Sequence, residues 1–182
     1  MQGEQINDLT AWVKKIIQNF IEHSPENTLR NQFDEKAFDG ALVGFSSGAD
    51  PLYAAYKAHV GPFHWTPWEI FTRTFPNSAV KPDELTVISW VLPQTEATKS
   101  DNRRQRTYPS ERWARARIYG ETVNVKLRTH VVDLLQKKGY QAVAPMLSPY
   151  WERKNSDRYV FASTWSERHA AYASGLGTFG LC

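Results

Sequence analysis

Trp165-Ser-Glu-Arg-His-Ala-Ala-Tyr-Ala-Ser-Gly-Leu-Gly-Thr-Phe-Gly-Leu-Cys182 joins an amphipathic helix directly to a glycine-punctuated turn, and the reading of that junction decides the fold. A helix over about 165–174 ends at Gly175, the residue type that most easily takes the left-handed conformation beyond a helix C-terminus. Gly177 and Gly180 follow, so backbone here can approach a ligand closely. The three glycines spell G-x-G-x-x-G, but the dinucleotide fingerprint needs a strand before it, a helix after it and an acidic residue about twenty positions on. Here a helix precedes the glycines and only two residues follow them, which excludes that reading.

Upstream, Leu9, Trp12, Val13, Ile16, Ile17, Phe20 and Ile21 recur at helical spacing, while Lys14, Lys15, Gln18 and Asn19 face away. Asn7 or Asp8 caps this helix and Pro25 follows its end. Its stripe packs on the chain's own core or docks a second subunit, as in a homodimer. Residues 26–40 read as a loop or short helix. Ala41-Leu-Val-Gly-Phe45 reads as a strand leaving into Ser46-Ser-Gly-Ala-Asp50. Pro51 opens a helix over 52–58, and Thr66 with Pro67 supplies the cap and first position of another over 68–75.

Leu85-Thr-Val-Ile-Ser-Trp-Val-Leu92 is the clearest strand, apolar on both faces and stopped by Pro93, and is expected centrally in a sheet. Residues 94–108 are polar and basic and read as surface loop. From Pro109 a long helical pattern follows that Gly120 interrupts or spans, with Val123, Leu127, Val131, Leu134 and Leu135 on one face and a stop at Lys137-Lys-Gly139. Tyr140-Gln-Ala-Val-Ala-Pro-Met-Leu147 is a second strand candidate, and 159–163 a short connection. The order gives an α/β (α+β) class, one layered domain over 1–182 with helices packed around a small mixed sheet.

With 182 residues, 41% hydrophobic and 23% charged, the chain is long enough to bury a core of its own. Its seven tryptophans serve core packing or line a pocket for a large planar ligand. A single cysteine, Cys182, excludes an internal disulfide or a self-contained zinc or iron-sulfur site. No uninterrupted apolar stretch suits a signal peptide or a membrane span, so a reducing, cytoplasmic location is expected and no membrane partner. Net charge is +3, yet residues 99–128 hold nine Lys or Arg against three acids, so this face attracts anions. Arg103, Arg104, Arg106 and Arg112 are the candidate anion-binding residues. They would grip a nucleotide-tail phosphate or a transfer RNA backbone. The cofactor or an internal partner is favoured over tRNA, because no base-stacking module accompanies them.

The segment Glu167-Arg-His-Ala-Ala-Tyr-Ala-Ser-Gly-Leu-Gly-Thr-Phe-Gly180 resembles the ERxxAxxAGLGxxG motif of the epoxyqueuosine reductase and reductive dehalogenase group, where it introduces a strand beside the corrin. Leu42-Val-Gly-Phe45, Gly61-Pro-Phe-His64, Val87-Ile-Ser-Trp-Val-Leu-Pro93 and Ala142-Val-Ala-Pro-Met-Leu-Ser-Pro149 extend the likeness over most of the chain, toward iron-sulfur relatives of that reductase. The resemblance implies a nitroreductase-like fold and a cobalamin cofactor. It also implies an oxidoreductase whose ferredoxin-like domain, with two 4Fe-4S clusters, follows the glycine segment. One cysteine cannot supply the four thiolates each cluster needs, so that domain is expected elsewhere in a longer parent chain or in a partner protein, and this chain alone is expected to be catalytically silent.

Arg168, His169, Gly175, Leu176, Gly177, Thr178 and Gly180 are the cofactor-binding positions this implies, with backbone N–H groups serving the amide and phosphate periphery of the corrinoid. His169 is read as a hydrogen-bonding group and not as a cobalt ligand. The family's catalytic aspartate lies in a G-R-D-Y-H segment. Here Gly120-Glu-Thr-Val-Asn124 puts Thr122 in its place, leaving Glu121, one residue earlier, as the candidate proton donor. Neither a paired metal-ligand spacing among His23, His59, His64 and His130 nor a Ser-His-acid set is legible. Two other readings stay open: a non-redox protein that handles corrinoid or a partner subunit, and a flavin-binding nitroreductase relative.

Overall fold

A computed structural model describes residues 8–180, so Asn7 and Cys182 lie outside the described residues. Its class is α+β, with six α-helices and two two-stranded sheets among the described residues. Two compact units are formed by the chain: residues up to 42 with 92–141, and residues 43–91 with 142 onward.

The first unit is built on helices α1 (Leu9–His23) and α5 (Glu111–Lys137), which pack on each other. Asp8 caps α1 by accepting from the Ala11 N–H at 2.9 Å, and Val13, Ile17 and Ile21 form its buried edge. The α1 stripe is thus core, with Trp12, Ile16 and Phe20 half-buried on its flanks. Ser110 caps α5, and Ala116, Gly120, Val123, Leu127, Val131 and Leu135 repeat every three or four residues along its buried face. Gly120 does not interrupt the helix. It lets the Phe38 ring come so close that a Cβ would lie 2.8 Å from Phe38 Cζ.

Buried Asn27 organises the loop after α1. Its Nδ2 donates to the Ile21 and Phe38 carbonyls at 2.8 and 2.9 Å, and its Oδ1 accepts from the Phe38 N–H at 3.0 Å. Residues 94–108 are not all loop: α4 (Glu96–Arg103) forms there, capped by Thr95 and carrying Glu96 in its first turn. The cap starts this helix and its packing on α5, through buried Thr98 and polar flanks, holds it without an apolar stripe.

The second unit pairs β1 (Leu42–Ser47) with β2 (Thr86–Val91) in an antiparallel two-stranded sheet, extended where the Gly48 N–H donates to the Leu85 carbonyl. In a sheet of two strands β2 is an edge, and only Ser89 is fully buried on it. Helix α2 (Pro51–Val60) is capped by Asp50, and α3 (Pro67–Thr74) starts on a full capping box between Thr66 and Glu69. Strands β3 (Arg153–Lys154) and β4 (Ala162–Ser163) make a small antiparallel hairpin before α6 (Glu167–Ala173). The strand expected over 140–147 does not form. Gly139 turns the chain at φ +87°, and Pro145, which has no N–H for a ladder, opens a 3₁₀ turn over Pro145–Leu147. No helix among the described residues is long and apolar enough to cross a membrane.

Candidate functional site

The second unit's core gathers aromatic side chains around α6. Trp165 stacks on Tyr53 and on His64, with ring centroids 6.0 and 6.2 Å apart and planes 13° and 20° apart. His64 is 1% exposed, and neither ring nitrogen has a hydrogen-bond partner among the described residues. Burial pushes it down to about 4, so it is neutral at pH 7. Tyr56 packs edge-on against His169 at 4.7 Å and donates its hydroxyl to the His169 carbonyl at 3.0 Å. Burial raises the Tyr56 phenol to about 12.

Ser166 occupies the N-cap position of α6, but its hydroxyl meets Nδ1 of His169 at 2.8 Å and caps no backbone N–H. Burial first, then the charge of Arg168, holds His169 below the usual imidazole range. Its ring also meets Phe179 at 4.9 Å, and Phe179 meets Tyr172 at 5.5 Å, so the segment leaving α6 folds back over the helix's own aromatic face. Arg168 itself is exposed.

The helix ends in a double hydrogen bond. The Gly175 N–H donates to the Tyr172 carbonyl and the Leu176 N–H to that of Ala171, with Gly175 at φ +72°, the Schellman arrangement. This end is pinned to the sheet. Ser174 Oγ donates to Ser89 Oγ on β2 at 3.1 Å and meets Ser46 Oγ on β1 at 3.2 Å, and Ser46 in turn meets the Tyr53 hydroxyl at 2.8 Å. Leu176 lies against Gly44 of β1. Beyond it residues 177–180 are exposed: Gly177 sits at φ +156°, and a Cβ at 175, 177 or 180 would touch nothing. Among the described residues no backbone acceptor takes the N–H of Gly177 or Thr178. Of the cofactor-binding positions expected from the sequence, Gly175, Leu176, Gly177, Thr178 and Gly180 form this exit and His169 is reached by its Phe179, whereas Arg168 lies in the first turn of α6.

The other expected site residues lie in the first unit. Glu121 pairs at 2.7 Å with Arg128, whose side chain is 4% exposed, and so serves as the counter-ion of a buried guanidinium. Arg112 forks onto Glu35 at 3.0 Å and Asp101 at 3.3 Å, and Arg103 reaches Glu96 at 3.4 Å. Arg104 and Arg106 are exposed and make no ion pair among the described residues. The basic segment is therefore partly neutralised within its own unit, by partners such as Glu35 that lie far away in sequence.

No three His, Cys, Asp or Glu side chains come together as a metal site among the described residues. His64 was legible only as one histidine of five, since nothing in Gly61-Pro-Phe-His64 announces burial without a partner. Compared with family models, curated proteins and solved structures, the chain matches none.

Proposed function

We propose that this chain is a corrinoid-binding domain with nitroreductase-like layering, similar to the N-terminal part of epoxyqueuosine reductase-like iron-sulfur oxidoreductases. The observation that carries this reading is the exit of α6. A helix end clamped to two strands leaves Gly177 and Thr178 exposed, with no acceptor for their amides among the described residues and with bare glycine flanks. That donor set fits the acceptor-rich rim of a corrinoid, and Arg168, in the first turn of the same helix, is an exposed positive charge.

When bound, a reduced corrinoid would supply a strongly nucleophilic cobalt centre. This chain's residues bind and orient. The Gly177 and Thr178 N–H groups donate to amide or phosphate oxygens, and Phe179 and Tyr172 cover one side of the exit. His169 stays neutral and tied to Ser166, a positioning group and not a metal ligand. Electrons come from a separate iron-sulfur domain or protein, because one cysteine in 182 residues cannot hold a cluster.

The engagement of Glu121 by Arg128 favours a second reading, a protein that handles corrinoid or docks a partner without doing chemistry. Titration of the purified protein with hydroxocobalamin, followed by visible absorption with FMN as control, tests both. A saturable change in the corrin bands, lost in Gly177→Val and retained in Glu121→Gln, is the expected result. Binding of FMN instead points to a flavin nitroreductase relative, and a flat titration with both ends the corrinoid reading. Catalysed reduction in the presence of an iron-sulfur donor, abolished by Glu121→Gln, separates the redox reading from the non-redox one.

A further inference from the structure

A groove of about 430 Å³ opens in the second unit, away from the α6 exit and independent of the corrinoid reading. Lys57 of α2, Glu69 and Arg73 of α3, and Tyr150, Glu152 and Lys154 before and within the β3 hairpin line it. Three cations thus face two carboxylates. Lys57 is committed to Glu69 at 2.9 Å and to the His64 carbonyl at 2.7 Å, and Lys154 to Glu152 at 2.7 Å. Arg73 is the cation left over. Its guanidinium sits over the Trp65 ring, 5.9 Å from the centroid, and has no carboxylate or carbonyl partner among the described residues.

A second donor lies in the same wall. Thr164 is 3% exposed, and its Oγ accepts from the Glu152 N–H at 3.2 Å, while its own O–H has no acceptor among the described residues. A guanidinium with a free fork and a buried hydroxyl with an undonated proton both call for an oxyanion. The half-exposed Tyr150 ring, with Phe63 beside the same groove, offers a flat apolar face for the rest of such a molecule.

We propose that this groove binds a small aromatic oxyanion, a carboxylate or phosphate monoester, through the Arg73 guanidinium and the Thr164 hydroxyl, with its ring against Tyr150. Both oxyanions share the recognition chemistry, and the volume suits a ligand of one or two rings.

The test is NMR titration of the full chain, reading the indole N–H signal of Trp65, which lines the groove and is present in every variant, and in the wild type also the Arg73 Nε–H signal, with phenyl phosphate, benzoate and inorganic phosphate in separate arms. Saturable shifts with phenyl phosphate or benzoate at concentrations below about 10 mM are expected, the tighter of the two identifying the oxyanion, with inorganic phosphate about tenfold weaker. Arg73→Gln should weaken binding by about tenfold and Thr164→Val by a few-fold, while Arg73→Lys, which keeps the charge but not the fork, falls between. Arg73 is exposed, so its variants keep the fold, as circular dichroism will verify. The proposal is overturned by the absence of a saturable shift, by equal affinity in Arg73→Gln, or by inorganic phosphate binding as tightly as the aryl compounds.

Discussion

Gly44 lies directly beneath Ser174: a Cβ at position 44 would overlap the Ser174 carbonyl oxygen and stand 2.9 Å from Leu176 Cγ. The contact joins the middle of β1 to the end of α6, and only a residue without a side chain permits it. Because the obstacle is partly backbone, a rotamer change cannot relieve it. Gly44→Ala is expected to destabilise the protein by about 1–3 kcal/mol, the usual cost of overpacking. Urea denaturation measures that loss, and amide exchange at Gly175 and Leu176 should quicken as the helix end loosens.

Asn27 replaces an element of secondary structure with one side chain. Its three hydrogen bonds satisfy the Ile21 carbonyl and both polar backbone groups of Phe38. Asn27→Ala leaves these buried groups without that partner and is expected to cost about 3 kcal/mol or more. Asn27→Asp is expected to do no better, since it turns two donations into repulsions. Equilibrium unfolding of both variants checks this.

Gly120 sets helix propensity against packing. Alanine would favour the α5 helix by up to about 1 kcal/mol. Its Cβ, however, would press on Phe38 Cζ, and Phe38 is fixed at both backbone groups by Asn27. Gly120→Ala is therefore expected to be net destabilising by about 1 kcal/mol, with Phe38→Leu relieving the clash so that the two changes couple favourably. A double-mutant cycle measures the coupling.

His64 makes the fold acid-sensitive. Its folded pKa, held down to about 4 chiefly by burial, lies below the unfolded value of 6.5. As pH falls through 6.5 the unfolded chain takes up a proton that the folded chain refuses, so stability drops progressively until the folded imidazole also titrates near 4. The loss amounts to roughly 2 kcal/mol by pH 5. His169, Lys57 and Glu69 surround this ring and remain in place in a His64→Leu variant. That variant is expected to match the wild type within about 1 kcal/mol at pH 7 and to exceed it at pH 5, because no hydrogen bond is lost. Urea midpoints at the two pH values decide it.

The residues that announce themselves in sequence are those whose structural role is local. The α1 stripe, the Thr66-Pro67-Glu69 start of α3 and the Gly175 stop of α6 all act within one or two turns, and each forms where its pattern places it. Helix α4 carries no apolar stripe because the face it packs on α5 is polar, with Thr98 buried and Asp101 and Asn102 half-buried, so no hydrophobic periodicity marks it. Tyr140–Leu147 misleads for the opposite reason: it has strand-like composition but lacks a neighbour to pair with. In the candidate sites, the helix exit was legible as a motif. The groove was not, since Lys57, Arg73, Tyr150 and Thr164 come from four separate segments. The pairing of Arg112 with Glu35 spans 77 positions and is equally invisible along the chain.

The hydroxyls of Tyr53, Ser46, Ser174 and Ser89 form a row of four rotors whose donations must run in a compatible sense, so turning one obliges its neighbours to turn. Such a row locks the α6 terminus like a detent, before anything arrives at the amides beyond it. A molecule settling on that ledge meets backbone whose freedom was already surrendered during folding, and its residence there loses little to further ordering of the protein.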